Sequence, residues 1–325
     1  MKTSTSLKRN HVWVLGLMLS LSTAAISAEE YPARPVTLIN PYAAGSSTDL
    51  MARTLALKFQ VSLGQPFVVV NRTGGSGVTG LTALANAPPD GLTLAYSPLT
   101  PLTIQPHMLA SSKLGPSTVA PVCGIAENIL GIVVRKDAPY TAMADLIAKA
   151  RTGVPPSYGS AGPNSGPSLG ADDLARSQKT VFLHVPFQGD TPAIQELLAG
   201  RLDFSAVVVA SASPFLKSGA LRLLAVMSTV RHPDYPDVPT FQQLGFPVKQ
   251  LSYTGIFAPK ETSESILDAL DRTCMKVLQD ADLKTFADRN EQVLRYIPRG
   301  ELGKTLAEQF REQGESLRAS GAIRQ

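Results

Sequence analysis

The chain has 325 residues, of which 44% are hydrophobic, 17% charged and 6% aromatic. That composition excludes disordered, collagen-like and coiled-coil chains and allows one large or two ordinary domains. The formal net charge of +4 sits mostly in the first 28 residues: Lys2, Lys8 and Arg9 lie there without an acid, so the rest carries 27 of the 30 bases against all 26 acids. A net charge of +1 gives no electrostatic footprint for a polyanion, and nucleic acid is set aside as a partner.

Residues 1–28 have the build of an export signal. A basic leader from Met1 to His11 precedes an apolar stretch from Val12 to Leu21, and Ile26-Ser27-Ala28 offers a cut after Ala28. The stretch is too short to cross a bilayer, and no other apolar run reaches about 18 residues. Lys8-Arg9 is not a twin-arginine pair, which points to export of the unfolded chain. The mature chain is expected to be freely soluble in the periplasm.

From Glu29 onward, short apolar runs alternate with helical patterns. Val36 to Asn40 reads as a buried strand, Thr48 to Leu63 as a helix closed by Gly64, Phe67 to Asn71 as a strand, Gly77 to Ala87 as a helix and Leu92 to Ser97 as a strand. This rhythm implies a parallel sheet covered by helices. After an irregular stretch from Pro98 to Pro121, strands are expected at Ile129 to Arg135, Val181 to Pro186, Phe204 to Val209, Leu221 to Met227 and Tyr253 to Ala258. Helices are expected at Ala142 to Arg151, Asp190 to Ala199, Ser211 to Ser218, Ser263 to Gln279 and Gly300 to Arg318, with Pro233 to Pro239 a loop. The fold class is α/β with two lobes, each a mostly parallel sheet flanked by helices. The first lobe takes residues 29–122 and 252–325 and the second takes 123–251, with crossings near Cys123 and Ser252.

Cys123 and Cys274 admit two readings. In an oxidising compartment a pair of cysteines suggests a disulfide. Cys274 also fits a helical stripe with Ile266, Leu270 and Val277, as a small buried hydrophobe.

A search for catalytic chemistry returns little. H-E-x-x-H, G-x-S-x-G, the phosphate-loop pattern and cysteine-rich metal spacing are all missing. His107, His184 and His232 stand alone in separate segments. Gly75-Ser76-Gly77-Val78-Thr79-Gly80 matches a dinucleotide fingerprint, but it follows the second strand of its lobe, and the next strand ends at Ser97-Pro98 without the acid that would hold a ribose. It reads as a tight turn. No cofactor and no metal are expected.

One device does recur: a strand, a small-residue loop rich in hydroxyls and backbone amides, then a helix. It occurs at Tyr42-Ala43-Ala44-Gly45-Ser46-Ser47-Thr48-Asp49, at Ser160-Ala161-Gly162-Pro163-Asn164-Ser165-Gly166 and at Pro186-Phe187-Gln188-Gly189-Asp190. Glycine lets backbone approach a ligand closely, and the amides of a helix N-terminus attract an anion without any arginine. Ligands of open parallel sheets sit beyond the carboxyl ends of strands, a rule that also includes Ser97. Asp49 lies in the first turn of its helix and is expected to brace the Gly45 loop. Asp190, ahead of Thr191-Pro192, either caps its helix or holds a cationic group of the ligand.

These residues resemble a known family. The opening Tyr31-Pro32-Ala33-Arg34-Pro35-Val36, the loop Pro41 to Asp49, Leu63-Gly64-Gln65-Pro66 through Asn71-Arg72, Ala87-Pro88-Pro89-Asp90-Gly91, His184-Val185-Pro186-Phe187 and Pro236-Asp237-Val238-Pro239-Thr240 are together similar to the extracytoplasmic solute-binding receptors of tripartite tricarboxylate transporters. The resemblance implies a two-lobed periplasmic fold of type II kind that closes on its ligand. It also implies capture of a small organic acid, delivery to the membrane permease subunits of such a transporter, and a monomer. Ala44 and Ser46 replace a usual Pro and Gly. Val207 and Val208 stand where polar residues, often an Asp and its neighbour, are common. If Val208 faces the cleft, an acid with an aromatic ring or aliphatic chain is favoured. The other class in play is an exported hydrolase of a small carboxylate ester or amide, using Asp49 or Asp190 with a histidine.

Overall fold

In a computed structural model, residues 1–3, 31–109, 112–248, 250, 252–319 and 323 are described. The export signal, apart from its first three residues, and the cut after Ala28 lie outside them. In chain order the elements are β1 (Val36–Asn40), α1 (Ser47–Leu63), β2 (Phe67–Asn71), α2 (Val78–Ala85), β3 (Thr93–Pro98), α3 (Thr100–Thr103), α4 (Gln105–Met108) and β4 (Val119–Asn128). There follow β5 (Leu130–Arg135), α5 (Met143–Ala150), β6 (Ser157–Ser160), α6 (Gly166–Ser177), β7 (Leu183–Pro186), α7 (Asp190–Leu198), β8 (Phe204–Val208), α8 (Val209–Lys217) and β9 (Leu221–Val226). The chain ends with β10 (Ser252–Pro259), α9 (Glu264–Val277), α10 (Ala281–Arg289), β11 (Val293–Ile297) and α11 (Arg299–Ala319).

Two sheets organise these elements. The first has six strands in the order β11-β4-β10-β3-β1-β2, and the second has five in the order β7-β6-β8-β5-β9. Both are mixed, where the repeating strand–helix rhythm predicts mostly parallel ones. β1 runs parallel to β2 and β3, but β10 is antiparallel to β3 and β4. In the second sheet β6 is parallel to β7 and β8, whereas β5 is antiparallel to β8 and β9. The antiparallel members cluster around the crossings, because a strand leaving a sheet and its neighbour returning must point opposite ways.

Alternation along the strands shows why each sheet is covered on both faces. Val36 and Leu38 of β1 pack with Met51 and Leu55 of α1 and with Leu270 of α9, while Ile39 packs with Leu84 of α2 and Leu306 of α11. In the second lobe, Leu130, Ile132 and Val134 of β5 meet Leu146 of α5 and Leu174 of α6, and Val133 meets Ile194 and Leu197 of α7. Each fully buried leucine contributes roughly 2 kcal/mol by removal from water. Gly64 ends α1 in the left-handed conformation at φ 74, donating its amide to the Gln60 carbonyl.

β4 carries the first sheet as far as Asn128, several residues beyond Cys123, and the chain re-enters at Ser252. These two residues are register partners, and Asn128 Nδ2 donates to Ser252 Oγ at 3.4 Å. Cys123 on β4 and Cys274 on α9 form a disulfide inside the first lobe, both fully buried.

Candidate functional site

Between the lobes lies a small cavity of about 30 Å³, room for roughly two waters. Its first-lobe wall is Tyr42, Ser46, Ser47 and Thr48 after β1, Pro98 and Thr100 after β3, and the crossing residues Asn128 and Ser252. Its second-lobe wall is Leu130, then Ala161, Ser165, Gly166 and Pro167 after β6, Asp190 after β7, and Val208 ending β8. Apart from the crossing residues Leu130 and Ser252, the wall stands at or beyond the carboxyl ends of strands, as open α/β sheets place their ligands. Among the described residues, none that lines the cavity is Lys, Arg or His.

The first wall is built around the start of α1. Ser46 caps the helix, its Oγ accepting the Asp49 amide at 3.2 Å and lying 3.0 Å from Thr48 Oγ1. The amides of Ser47 and Thr48 belong to the first turn, which the helix cannot pair internally. Asp49 does not face the cavity. Its carboxylate accepts the Gly45 amide at 2.9 Å, Asn71 Nδ2 at 2.8 Å and two bonds from Arg53, and so fixes the loop ahead of the helix. Burial pushes the Asp49 pKa up, but Arg53, Gly45 and Asn71 outweigh it and hold the carboxyl below its ordinary value.

On the opposite wall, Ser165 caps α6 and accepts the Ser168 amide at 3.4 Å, leaving the Gly166 amide in the first turn. Asp190 behaves differently from a cap. Gly189 is the N-cap of α7, and Asp190 turns its Oδ2 to the Val208 amide at 3.1 Å and to Ser211 Oγ at 3.0 Å. Ser211 Oγ in turn accepts the Ser47 amide at 3.3 Å, so a carboxylate–hydroxyl–amide chain spans the lobes. Asp190 Oδ1 is buried and has no partner. Burial pushes the Asp190 pKa up to about 6, against the pull of its two hydrogen bonds.

Direct contacts between the lobes surround the cavity. Ala43 N donates to the Gln188 carbonyl at 3.1 Å, Ser76 Oγ to the Pro163 carbonyl at 2.6 Å, and Gln105 Nε2 to the Asn164 carbonyl at 2.8 Å. The glycine-rich turn before α2 therefore serves as an interlobe contact. Gly162 sits at φ 127, and a Cβ there would come within 2.5 Å of Ser76 Oγ. Only glycine permits this approach.

Among the residues singled out from sequence, Tyr42, Ser46, Ser47, Thr48, Ala161, Ser165, Asp190 and Val208 share the cavity wall. Ala43, Gly162, Asn164, Gln188 and Gly189 lie at the interlobe contacts around it. Gly45 is bound to Asp49. Ser97 is buried and donates to the Pro98 carbonyl, while Ser160 Oγ bonds Gly162 and His184. Phe187 donates its amide to the Ser160 carbonyl, and Pro186 is exposed at the end of β7. Gly166, the last residue of the second candidate loop, also lines the wall, whereas Pro98, Thr100, Asn128, Leu130, Pro167 and Ser252 were not anticipated. The carboxyl-end rule that selects Ser97 extends to Pro98 and Thr100, whereas Asn128 and Ser252 come into view only once the crossing strands are placed. Val207 is fully buried and packs on the opposite face of the sheet from Val208. Of the histidines, His107 Nε2 lies 2.9 Å from the Phe310 carbonyl, and none lines the cavity.

Two open sheets covered on both faces, joined by a pair of crossing strands and meeting across a cavity at their carboxyl ends, define the two-lobed periplasmic binding proteins. The family model described as tripartite tricarboxylate transporter family receptor matches residues 51–320, and the chain belongs to that family. BugT of Bordetella pertussis is 33% identical over 282 residues, covering 84% of this chain and 86% of that protein. MatC from Rhodopseudomonas palustris, solved with bound malate, superposes with a TM-score of 0.83 at 26% identity, covering 88% of this chain and 99% of that one. A second R. palustris protein, solved with adipate, gives a TM-score of 0.83 at 26% identity, with coverages of 90% and 98%. The family consists of receptors, so the chain is a solute-binding protein and the hydrolase alternative falls. No helix among the described residues is long and apolar enough to cross a membrane.

Proposed function

We propose that this receptor, exported to the periplasm and acting as a monomer, captures a small organic acid between its lobes. It then delivers the acid to the membrane permease subunits of a tripartite transporter. The observation that carries the reading is the convergence of two helix starts, Ser46–Thr48 of α1 and Ser165–Pro167 of α6, on one cavity whose wall holds no basic side chain among the described residues. First-turn amides and helix dipoles supply the positive potential that a carboxylate needs, with capping hydroxyls beside them. The malate and adipate bound by two structural relatives are both carboxylates. Leu130, Val208, Pro98 and Pro167 give part of the wall an apolar surface, which suits a hydrocarbon chain or ring on the acid.

The ligand exceeds the present cavity, so binding requires the lobes to part and reclose, dividing where the chain leaves the first sheet after Asn128 and returns at Ser252. Contacts made to both lobes only in the closed arrangement shift the balance toward it. Mass spectrometry of small molecules released from the purified protein, followed by calorimetric titration with the compound found, tests the proposal. A carboxylic acid that binds and returns chemically unchanged is the expected result; recovery of a converted product, or of a ligand without a carboxylate, overturns it.

A further inference from the structure

Asp190 is out of place in a cleft for anions. Its residue is 4% exposed, its Oδ2 is used by Val208 and Ser211, its Oδ1 is buried and unpaired, and the residue belongs to a cavity wall that holds no base among the described residues. A carboxylate in such surroundings stays charged only at a cost, and leaving one oxygen without a donor adds to it. The Ser211–Ser47 link ties Asp190 to the start of α1, one of the two helix starts at the cavity. A dianion there would meet a third negative charge in a water-poor space. The buried phenol of Tyr42, whose own ionisation is opposed by burial and by Asp190, gives no positive charge either.

We infer that Asp190 Oδ1 receives an ammonium group of the ligand, so that the receptor selects zwitterions carrying an amine and a carboxylate over dicarboxylates of equal length. This rests on the reading of the cleft as a carboxylate site and names the class of acid it takes. One end of the ligand lies against first-turn amides and hydroxyls, and the other pairs with Asp190, which completes the coordination of the buried oxygen. The apolar wall between them accommodates the connecting methylenes.

The experiment is calorimetric titration of the ligand-stripped protein with two matched series, dicarboxylates from succinate to adipate and the ω-amino acids of the same chain lengths. Wild type is expected to bind the best amino acid at least about tenfold more tightly than its dicarboxylate counterpart, and Asp190→Asn to erase that preference. Far-ultraviolet circular dichroism of Asp190→Asn confirms that it is folded. Equal or tighter binding of the dicarboxylates by wild type overturns the inference while leaving the receptor reading intact, as does a preference that survives in Asp190→Asn. Failure of both series to bind overturns the inference, while the carboxylate reading is decided separately by the compound released from the purified protein.

Discussion

Two buried carboxylates, both in the first turn of a helix, are handled in opposite ways. Asp49 is surrounded by donors, and its pKa is lowered; Asp190 has two donors on one oxygen and none on the other, and its pKa rises to about 6 from an ordinary 3.8. For an acid whose folded pKa is raised, the folded state binds the extra proton, so the stability cost is absent below about pH 4, grows through pH 4 to 6 and is complete above that. At neutral pH it amounts to roughly 3 kcal/mol. Asp190→Asn should therefore melt at a higher temperature than wild type at pH 8, with the gap closing toward pH 4, as measured by calorimetric Tm across that range. The bracing role of Asp49 was legible from its first-turn position alone. The state of Asp190 was not, since its partners Val208 and Ser211 lie 18 and 21 residues away and only the sheet brings them near.

At the level of elements, runs of β-branched residues and amphipathic stripes located most strands and helices to within a residue or two, β1 and β2 among them. The misses have physical reasons. β4, an interior strand of the first sheet next to its edge, was hidden by Pro121 and Gly124, which break its apolar run. The pairing with β10 absorbs the proline at a shift of register, where Ile256 faces Cys123 and Phe257 faces Pro121. α6 was expected only as the helix following the Ser160–Gly166 loop, without bounds; its Gly-Pro-Ser start is compatible with helix because proline is tolerated in the first turn. α10 and β11 were also missed, and the turn between them carries Glu291, a non-glycine residue at φ 53. Its buried carboxylate accepts Tyr235 Oη at 2.8 Å and pairs with Lys217 Nζ at 3.2 Å, both from the second lobe. Tyr235→Phe removes one donor from this anion and should destabilise the protein by about 1–3 kcal/mol in urea unfolding.

For the whole molecule, the two-lobed plan followed from alternation and from loops of similar chemistry, whereas the mixed pairing of the sheets did not. Pairing direction depends on which strands neighbour the crossings, information spread over more than a hundred residues. Closure itself depends on the bare backbone at Gly162. A methyl group there meets Ser76 Oγ, and the positive φ disfavours any side chain. Gly162→Ala should keep both lobes folded, weaken ligand affinity by about tenfold or more, and leave a larger radius of gyration in small-angle scattering with ligand present. An unchanged affinity would show that the lobes need not approach so closely.

Asn128 and Ser252 stand side by side on adjacent strands, so the whole of the second sheet and its helices hangs from two neighbouring attachment points. The Cys123–Cys274 bond, 151 residues apart in sequence, ties the stem on the far side of both points. In topological terms the distal half is an excursion of the chain with its two ends together, stapled at its base.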